Sequence, residues 1–282
     1  MKSLTLNVKS PNFQIVLAGD SHDGSVLTHV AGIHKLIDYV HGGKNIYWAH
    51  MGDWIEAITT DDKRYDHDSS LDPIPLKQAH AVVKMFEPIR KKCFCGLIGN
   101  HELKLHRFGN LVQDVICKEL NIPYGTYTAI VRVEYRGKFL FEMFLWHGPA
   151  RGTINSNAKD YEQRIANMKA SLKMKFKYKW SSAAIMACGH VHKLLIVPPS
   201  DQLYLHSGDD QGIHQDYLTG LQEGQFIDSD RRWYLCCGSF LKLFENNVIG
   251  YAEMSGYDPV ELGFPIITVE GGKIVSVEPY VV

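Results

Sequence analysis

Several short apolar runs in this chain stop abruptly at compact polar clusters, and helix-patterned stretches separate the first of them. Residues 13–19 lead into Asp20-Ser21-His22, 45–51 into Gly52-Asp53, and 93–98 into Gly99-Asn100-His101-Glu102. Further along, 138–146 leads into His147-Gly148, and 183–188 into Gly189-His190-Val191-His192. Apolar runs of this length, bounded by turn residues, read as buried strands. Between them, Val26, Val30, Ile33, Ile37 and Val40 recur at helical spacing before the stop signal Gly42-Gly43, and 76–91 predicts a second helix. This β-α-β-α-β rhythm requires a layered α/β scaffold. In open α/β sheets, ligand sites form outside the carboxyl ends of strands, so clusters distant in sequence can meet along one edge.

The remaining pattern is mixed. Two adjacent strands, 127–135 and 138–146, meet at Arg136-Gly137 as a hairpin. A Lys-rich helix is expected over 159–179, and tail strands over 193–197, 202–206, 232–237, 265–269 and 273–277. Two long segments, 58–74 and 207–230, read as irregular loops that rim the site. With no internal repeat, low-complexity tract or linker, the expectation is one domain over 1–282.

The polar clusters supply two Asp (Asp20, Asp53), one Asn (Asn100) and four His (His22, His147, His190, His192), with His101 left over. That inventory suffices for two metal ions sharing a carboxylate, and Asp53 is the natural bridge. Carboxylate, imidazole and amide donors without sulfur suit Mn²⁺ first, and also Fe or Zn²⁺.

The spelling and order of the clusters resemble the calcineurin-like metallophosphoesterase superfamily, whose pattern reads D-x-H, GD, GNH[DE], H, GHxH. The resemblance implies a four-layer α/β/β/α metallophosphoesterase sandwich. It also implies that Asp20, His22 and His192 complete one metal's shell while Asn100, His147 and His190 complete the other. Two cations would lower the pKa of a water shared between them, giving a hydroxide nucleophile near neutral pH, and would neutralise phosphoryl oxygens during in-line attack. His101 is then the expected general acid, and Glu102, by the same resemblance, the residue that orients its imidazole. The GHxH ending is similar to the phosphodiesterase and nuclease branches, so the implied partner is a phosphoester substrate: DNA, RNA or a nucleotide. Protein phosphatases of the superfamily carry GDxxDRG. Here Gly52-Asp53-Trp54-Ile55-Glu56-Ala57 lacks the Arg, and Glu56 replaces the second Asp. Cys237-Gly238-Ser239-Phe240-Leu241, Ser255-Gly256-Tyr257 and Leu262-Gly263-Phe264-Pro265 look similar to phage- and prophage-encoded members. A phosphomonoesterase is the alternative reading, and a non-catalytic binding module on the same fold is a further one, although all seven ligands and His101 are retained.

Composition narrows the remaining choices. A formal charge of −1 argues neither for nor against a nucleic-acid partner. The one conspicuous basic stretch, Lys169, Lys173, Lys175, Lys177 and Lys179 interleaved with Met174, Phe176, Tyr178 and Trp180, is either a phosphate-gripping face or a solvated helical face. No apolar run reaches the ~20 residues a membrane span needs, and the first residues lack a secretory apolar region. With six Cys and no C-x-x-C pair, the expectation is reduced core thiols in a cytoplasmic protein. The alternatives are a zinc site from Cys93, Cys95, Cys236 and Cys237, and an extra metal site from His206, Asp209, Asp210 and His214. Oligomeric state is not encoded in any of these patterns.

Overall fold

A computed structural model of the chain describes residues 1–68, 70–149, 154–201, 203–207, 212–217, 226–248 and 256–282. In chain order its main elements are β1 (Lys2–Val8), β2 (Phe13–Ala18), α1 (Val30–Gly42), β3 (Ile46–His50), α2 (Pro75–Phe86) and β4 (Cys93–Gly96). There follow α3 (Asn100–Leu103), α4 (Lys118–Leu120), β5 (Thr128–Tyr135), β6 (Lys138–Trp146), α5 (Tyr161–Phe176), β7 (Ala183–Cys188) and β8 (Leu194–Val197). The last are β9 (Leu203–Ser207), β10 (Ile213–Tyr217), β11 (Trp233–Cys237), β12 (Gly263–Glu270) and β13 (Lys273–Val281).

The strands form a six-stranded sheet, ordered β1-β5-β6-β7-β11-β8, and a five-stranded sheet, ordered β13-β12-β2-β3-β4. Pairing is parallel across β2-β3-β4 and across β6-β7-β11, so these strands point their carboxyl ends the same way within each sheet. The predicted hairpin joins β5 and β6, with Arg136 at φ 51° and Gly137 at φ 76°, as a two-residue primed turn demands.

Three cores explain why the strands read as nearly continuous apolar runs. Alternate residues of one strand face opposite sides. Ile15 and Leu17 of β2 pack with Val131 and Val133 of β5, Met143 and Leu145 of β6 and Ile185 of β7, filling the space between the sheets. Val16 and Trp48 face outward, where Ile33, Leu36 and Val40 of α1 and Val82 and Phe86 of α2 cover them. On the other sheet, Ile130, Phe144 and Met186 meet Met168, Leu172 and Phe176 of α5. Helices, sheet, sheet and helix therefore follow one another, each large buried side chain contributing about 1.5–3 kcal/mol.

Several boundaries differ from the sequence expectation for identifiable reasons. The first helix starts at Val30 rather than Val26, because Thr28 donates to the His22 carbonyl (2.6 Å) and the His29 N–H to the Phe240 carbonyl (2.7 Å). The second stops at Phe86, since Pro88 has no N–H to continue it, and a 3-10 turn spans Glu87–Lys92. Helix α5 starts at Tyr161, with Asp160 accepting from the Gln163 N–H at 2.8 Å. Strand β1 was unexpected; only Leu6 and Val8 are buried in it, too weak an alternation to announce a strand. The segment 207–230, expected to be irregular, contains β10, which pairs with β9 as a separate two-stranded sheet. Asp209, Asp210 and Ser255 lie outside the described residues, so the extra metal site and part of the tail motif are not described. Among the described residues, no helix is long and apolar enough to cross a membrane.

Candidate metal centre

The parallel strands deliver every expected ligand to one place. Asp20 follows β2, Asp53 follows β3, Asn100 opens α3 just after β4, His147 follows β6, and His190 and His192 follow β7. Among the described residues three groups of potential ligand atoms result, with atoms within each group no more than 4.8 Å apart: Asp20, His22, Asp53 and His192; Asp53, His147 and His190; and His22, Glu56 and His101. Asp53 is common to the first two. Asn100 joins the second group, its Oδ1 2.9 Å from His147 Nε2.

Backbone conformation carries part of the construction. Asp20, His22, Asp53, His190 and His192 all have positive φ, between 48° and 68°. For residues with a Cβ this left-handed region costs on the order of 1–3 kcal/mol each, and such strain collects at functional sites. It turns each side chain back over the end of its strand. Two glycines make the turns possible. A Cβ on Gly99 would lie 2.0 Å from Asp53 Oδ1, and one on Gly52 (φ 99°) would lie 2.4 Å from His147 Nδ1.

Hydrogen bonds fix which imidazole nitrogen faces the cluster. His22 Nδ1 bonds Glu56 Oε2 at 2.7 Å, leaving Nε2 3.2 Å from His192 Nε2 and 3.8 Å from Asp53 Oδ2. His147 Nδ1–H donates to the Met51 carbonyl at 2.8 Å, leaving Nε2 3.3 Å from Asp53 Oδ2. Asp20 accepts the His190 backbone N–H with both oxygens, at 2.9 and 3.1 Å. Partners of this kind set the ring orientation of ligating histidines.

Glu56 is the residue that sequence reasoning missed. Besides holding His22, its backbone carbonyl accepts from His101 Nδ1 at 2.5 Å, and its carboxylate lies 3.8 Å from the same nitrogen. The expectation for Glu102 needs correction. Its oxygens accept from the Ile55 N–H (3.0 Å) and the Gly99 N–H (2.8 Å), so it braces the backbone of two motifs, while Glu56 orients His101. The signal was present in the second motif, where Glu56 stands three residues after Asp53. Tyr127 was also missed. Its ring stands edge-on to His147 at 5.2 Å, and its buried hydroxyl has no hydrogen-bond partner among the described residues.

The electrostatics are those of a cluster that attracts cations. Burial disfavours the charged carboxylates, but His192 and His147 hold Asp20 low, and His147, His101 and His22 hold Asp53 well below the usual range. Burial opposes protonation of His22 and His147; Glu56 and Asp53 outweigh it for His22, and Asp53 and Asp20 for His147, raising each to about 9. Burial lowers His101 to about 4, against the pull of Asp53. Burial, reinforced by the Asp53 charge, raises Glu102 to about 7. His50, under the cluster, is lowered to about 3 by burial; stacked on Trp54 at 3.5 Å, it accepts the Gly52 N–H, a packing role.

Two divalent cations fit this donor set. Two fully buried carboxylates have only imidazoles as ionic partners among the described residues, and two imidazole nitrogens face each other at 3.2 Å. Because His22 and His147 hold protons up to about pH 9 without metal, loading must displace those protons. Metal affinity is therefore expected to rise as pH increases towards 9. Calorimetry of Mn²⁺ binding at about pH 7.5 in buffers of different ionisation enthalpy is expected to register proton release; affinity independent of pH would contradict this.

The other sequence candidates separate cleanly. Cys93 and Cys95 lie in β4, Cys236 and Cys237 in β11 of the other sheet, and no potential ligand group among the described residues contains a thiol. All six cysteines are free and buried. In the basic stretch, Lys173 is paired with Asp230, and Lys177 and Lys179 sit over the rings of Tyr178 and Trp146. Met168, Leu172 and Phe176 are buried beneath α5, the arrangement of a solvated helical face.

No family profile matches the chain, and no curated protein matches it. Among solved structures it is similar to the calcineurin-like phosphoesterase YfkN from Bacillus subtilis, with 12% identity, 95% of this chain and 90% of that chain covered, and a TM-score of 0.39. It is also similar to the nuclease MPE from Pseudomonas putida, with 13% identity, coverage of 94% and 87%, and a TM-score of 0.33. Five motifs in order are carried by two packed sheets to one buried cluster around Asp53.

Proposed function

We propose that this chain, acting as one domain over 1–282, is a dinuclear metal-dependent phosphoesterase that hydrolyses phosphodiester bonds in nucleic acid or nucleotides. The observation that carries the reading is the pair of ligand groups sharing Asp53. Mn²⁺ suits the sulfur-free donors best, with Fe or Zn²⁺ next. When bound, two such ions supply charge that acidifies a water and neutralises phosphoryl oxygens.

The protein's part is positioning and proton management. Asp20, His22 and His192 with Asp53 would hold one ion; Asn100, His147 and His190 with Asp53 would hold the other. Glu56 keeps the His22 Nε2 turned towards the cluster. The Glu56 carbonyl occupies His101 Nδ1–H, so His101 Nε2 is the atom left to protonate the departing oxygen. Burial keeps this imidazole neutral near pH 7 in the free protein. An anionic phosphoryl group beside it would favour the imidazolium, the form that can give up a proton. Glu102 acts through the backbone it braces, by fixing Gly99 and hence the approach of Asp53. Six free, buried thiols support a cytoplasmic location.

Hydrolysis of bis-p-nitrophenyl phosphate and p-nitrophenyl phosphate after Mn²⁺ loading tests the bond class. A preference for the diester of tenfold or more in kcat/KM is expected. A strong preference for the monoester would make this a phosphatase instead.

A further inference from the structure

We propose that Lys104, Arg107 and Phe108, faced by Arg64, form a track that holds single-stranded nucleic acid beside the metal centre. This rests on the phosphodiesterase reading above and names its substrate class. The segment that presents His101 does not end with α3: it runs through Lys104 into the 3-10 turn His106–Phe108. His101, Lys104 and Arg107 follow one another at intervals of three, the spacing that lines side chains along one face of such turns. The row therefore starts at the expected general acid and leads outward. At its end Phe108 is 77% exposed, with the Arg107 guanidinium 4.6 Å from its ring centroid.

The opposite side of the row belongs to the loop after Asp53. Arg64 is forked onto Asp62, Nε to Oδ1 at 3.0 Å and Nη2 to Oδ2 at 2.6 Å. Lys104 lies within electrostatic reach of Arg64 and Asp62 in the loop and of Asp53 and Glu56 in the cluster. Arg107 likewise acts on Asp61. Arg64, Lys104 and Arg107 thus stand among the loop carboxylates Asp61 and Asp62 and the cluster carboxylates Asp53 and Glu56, which orients the three cations. Positive charge in a row suits consecutive phosphates, and an exposed aromatic ring offers stacking to an unpaired base. A duplex, whose bases are already stacked and paired, cannot use that ring. The Lys-rich α5 instead packs on the outer side of the other sheet, against Ile130, Phe144 and Met186, and does not continue the segment that carries His101.

Fluorescence anisotropy with a labelled twelve-nucleotide thymidine strand, titrated at several NaCl concentrations, tests the track. Lys104→Gln/Arg107→Gln is expected to weaken binding at least tenfold. It is also expected to make the slope of log K against log[salt] shallower by about 1.4, at ~0.7 for each phosphate no longer neutralised. Phe108→Ala is expected to weaken binding at least fivefold with the slope unchanged. Lys177→Gln/Lys179→Gln is expected to bind like the parent. All substituted positions are solvent-facing, and matching thermal melts establish that the variants are folded. Parent-like affinity and slope in the 104/107 variant would overturn the track, as would failure of the parent protein to bind the strand. In either case hydrolysis of bis-p-nitrophenyl phosphate would still stand as the separate test of the phosphodiesterase reading.

Discussion

Replacing Asp53 by Asn is expected to strip metal from both positions and to lower kcat/KM for a phosphodiester by about 10²–10⁴. The magnitude follows from removing one partner of a buried charged cluster, roughly 3–5 kcal/mol, at about 1.36 kcal/mol per factor of ten. Asp53 belongs to two of the three ligand groups and is fully enclosed, so no solvent compensates for its lost charge. Its Oδ1 also accepts the His101 backbone N–H at 2.9 Å. An amide oxygen in that place keeps the hydrogen bond while losing the charge, so the fold is expected to survive. Asp20→Asn, by contrast, touches only one group and is expected to empty one position. Elemental analysis of purified, Mn²⁺-reconstituted variants checks both statements. Two ions retained with full activity in the Asp53→Asn variant would contradict the shared role.

His101→Ala is expected to leave metal content intact and to slow turnover by about 10²–10⁴, the usual range for a lost general acid. His101 appears in neither Asp53-sharing group; its one ligand-like grouping among the described residues, with His22 and Glu56, runs through the residue that orients it. The loss should depend on the leaving group. p-Nitrophenolate departs with little help, so bis-p-nitrophenyl phosphate is expected to suffer less than an oligonucleotide, whose departing alkoxide needs the proton. Loss of metal from this variant would instead make His101 a ligand, and an equal loss on both substrates would remove the acid role.

Much of this site was legible from residue types and order. The candidate ligands are polar residues placed where apolar runs end, and parallel strand pairing turns that linear pattern into one cluster. What was not legible depends on backbone torsion and on contacts between motifs. Nothing in the letters Asp20, His22, Asp53, His190 and His192 announces that all five adopt the left-handed conformation. The exchange of roles between Glu56 and Glu102 is of the same kind. Both carboxylates adjoin the expected motifs, and only the approach of the loop after β3 to the start of α3 decides which one reaches His101. Strand β1 escaped because an edge strand buries one face weakly, and β10 because a hairpin with exposed Leu205 and Ile213 lacks the buried stripe that marks strands.

The most direct measurement of the central claim is anomalous diffraction at the manganese edge from Mn²⁺-loaded crystals. Two peaks about 3.5–4 Å apart, flanking the Asp53 carboxylate with His22 and His192 on one and His147 and His190 on the other, are the predicted result. A single peak away from Asp53, or none in protein that hydrolyses phosphodiesters, would contradict it.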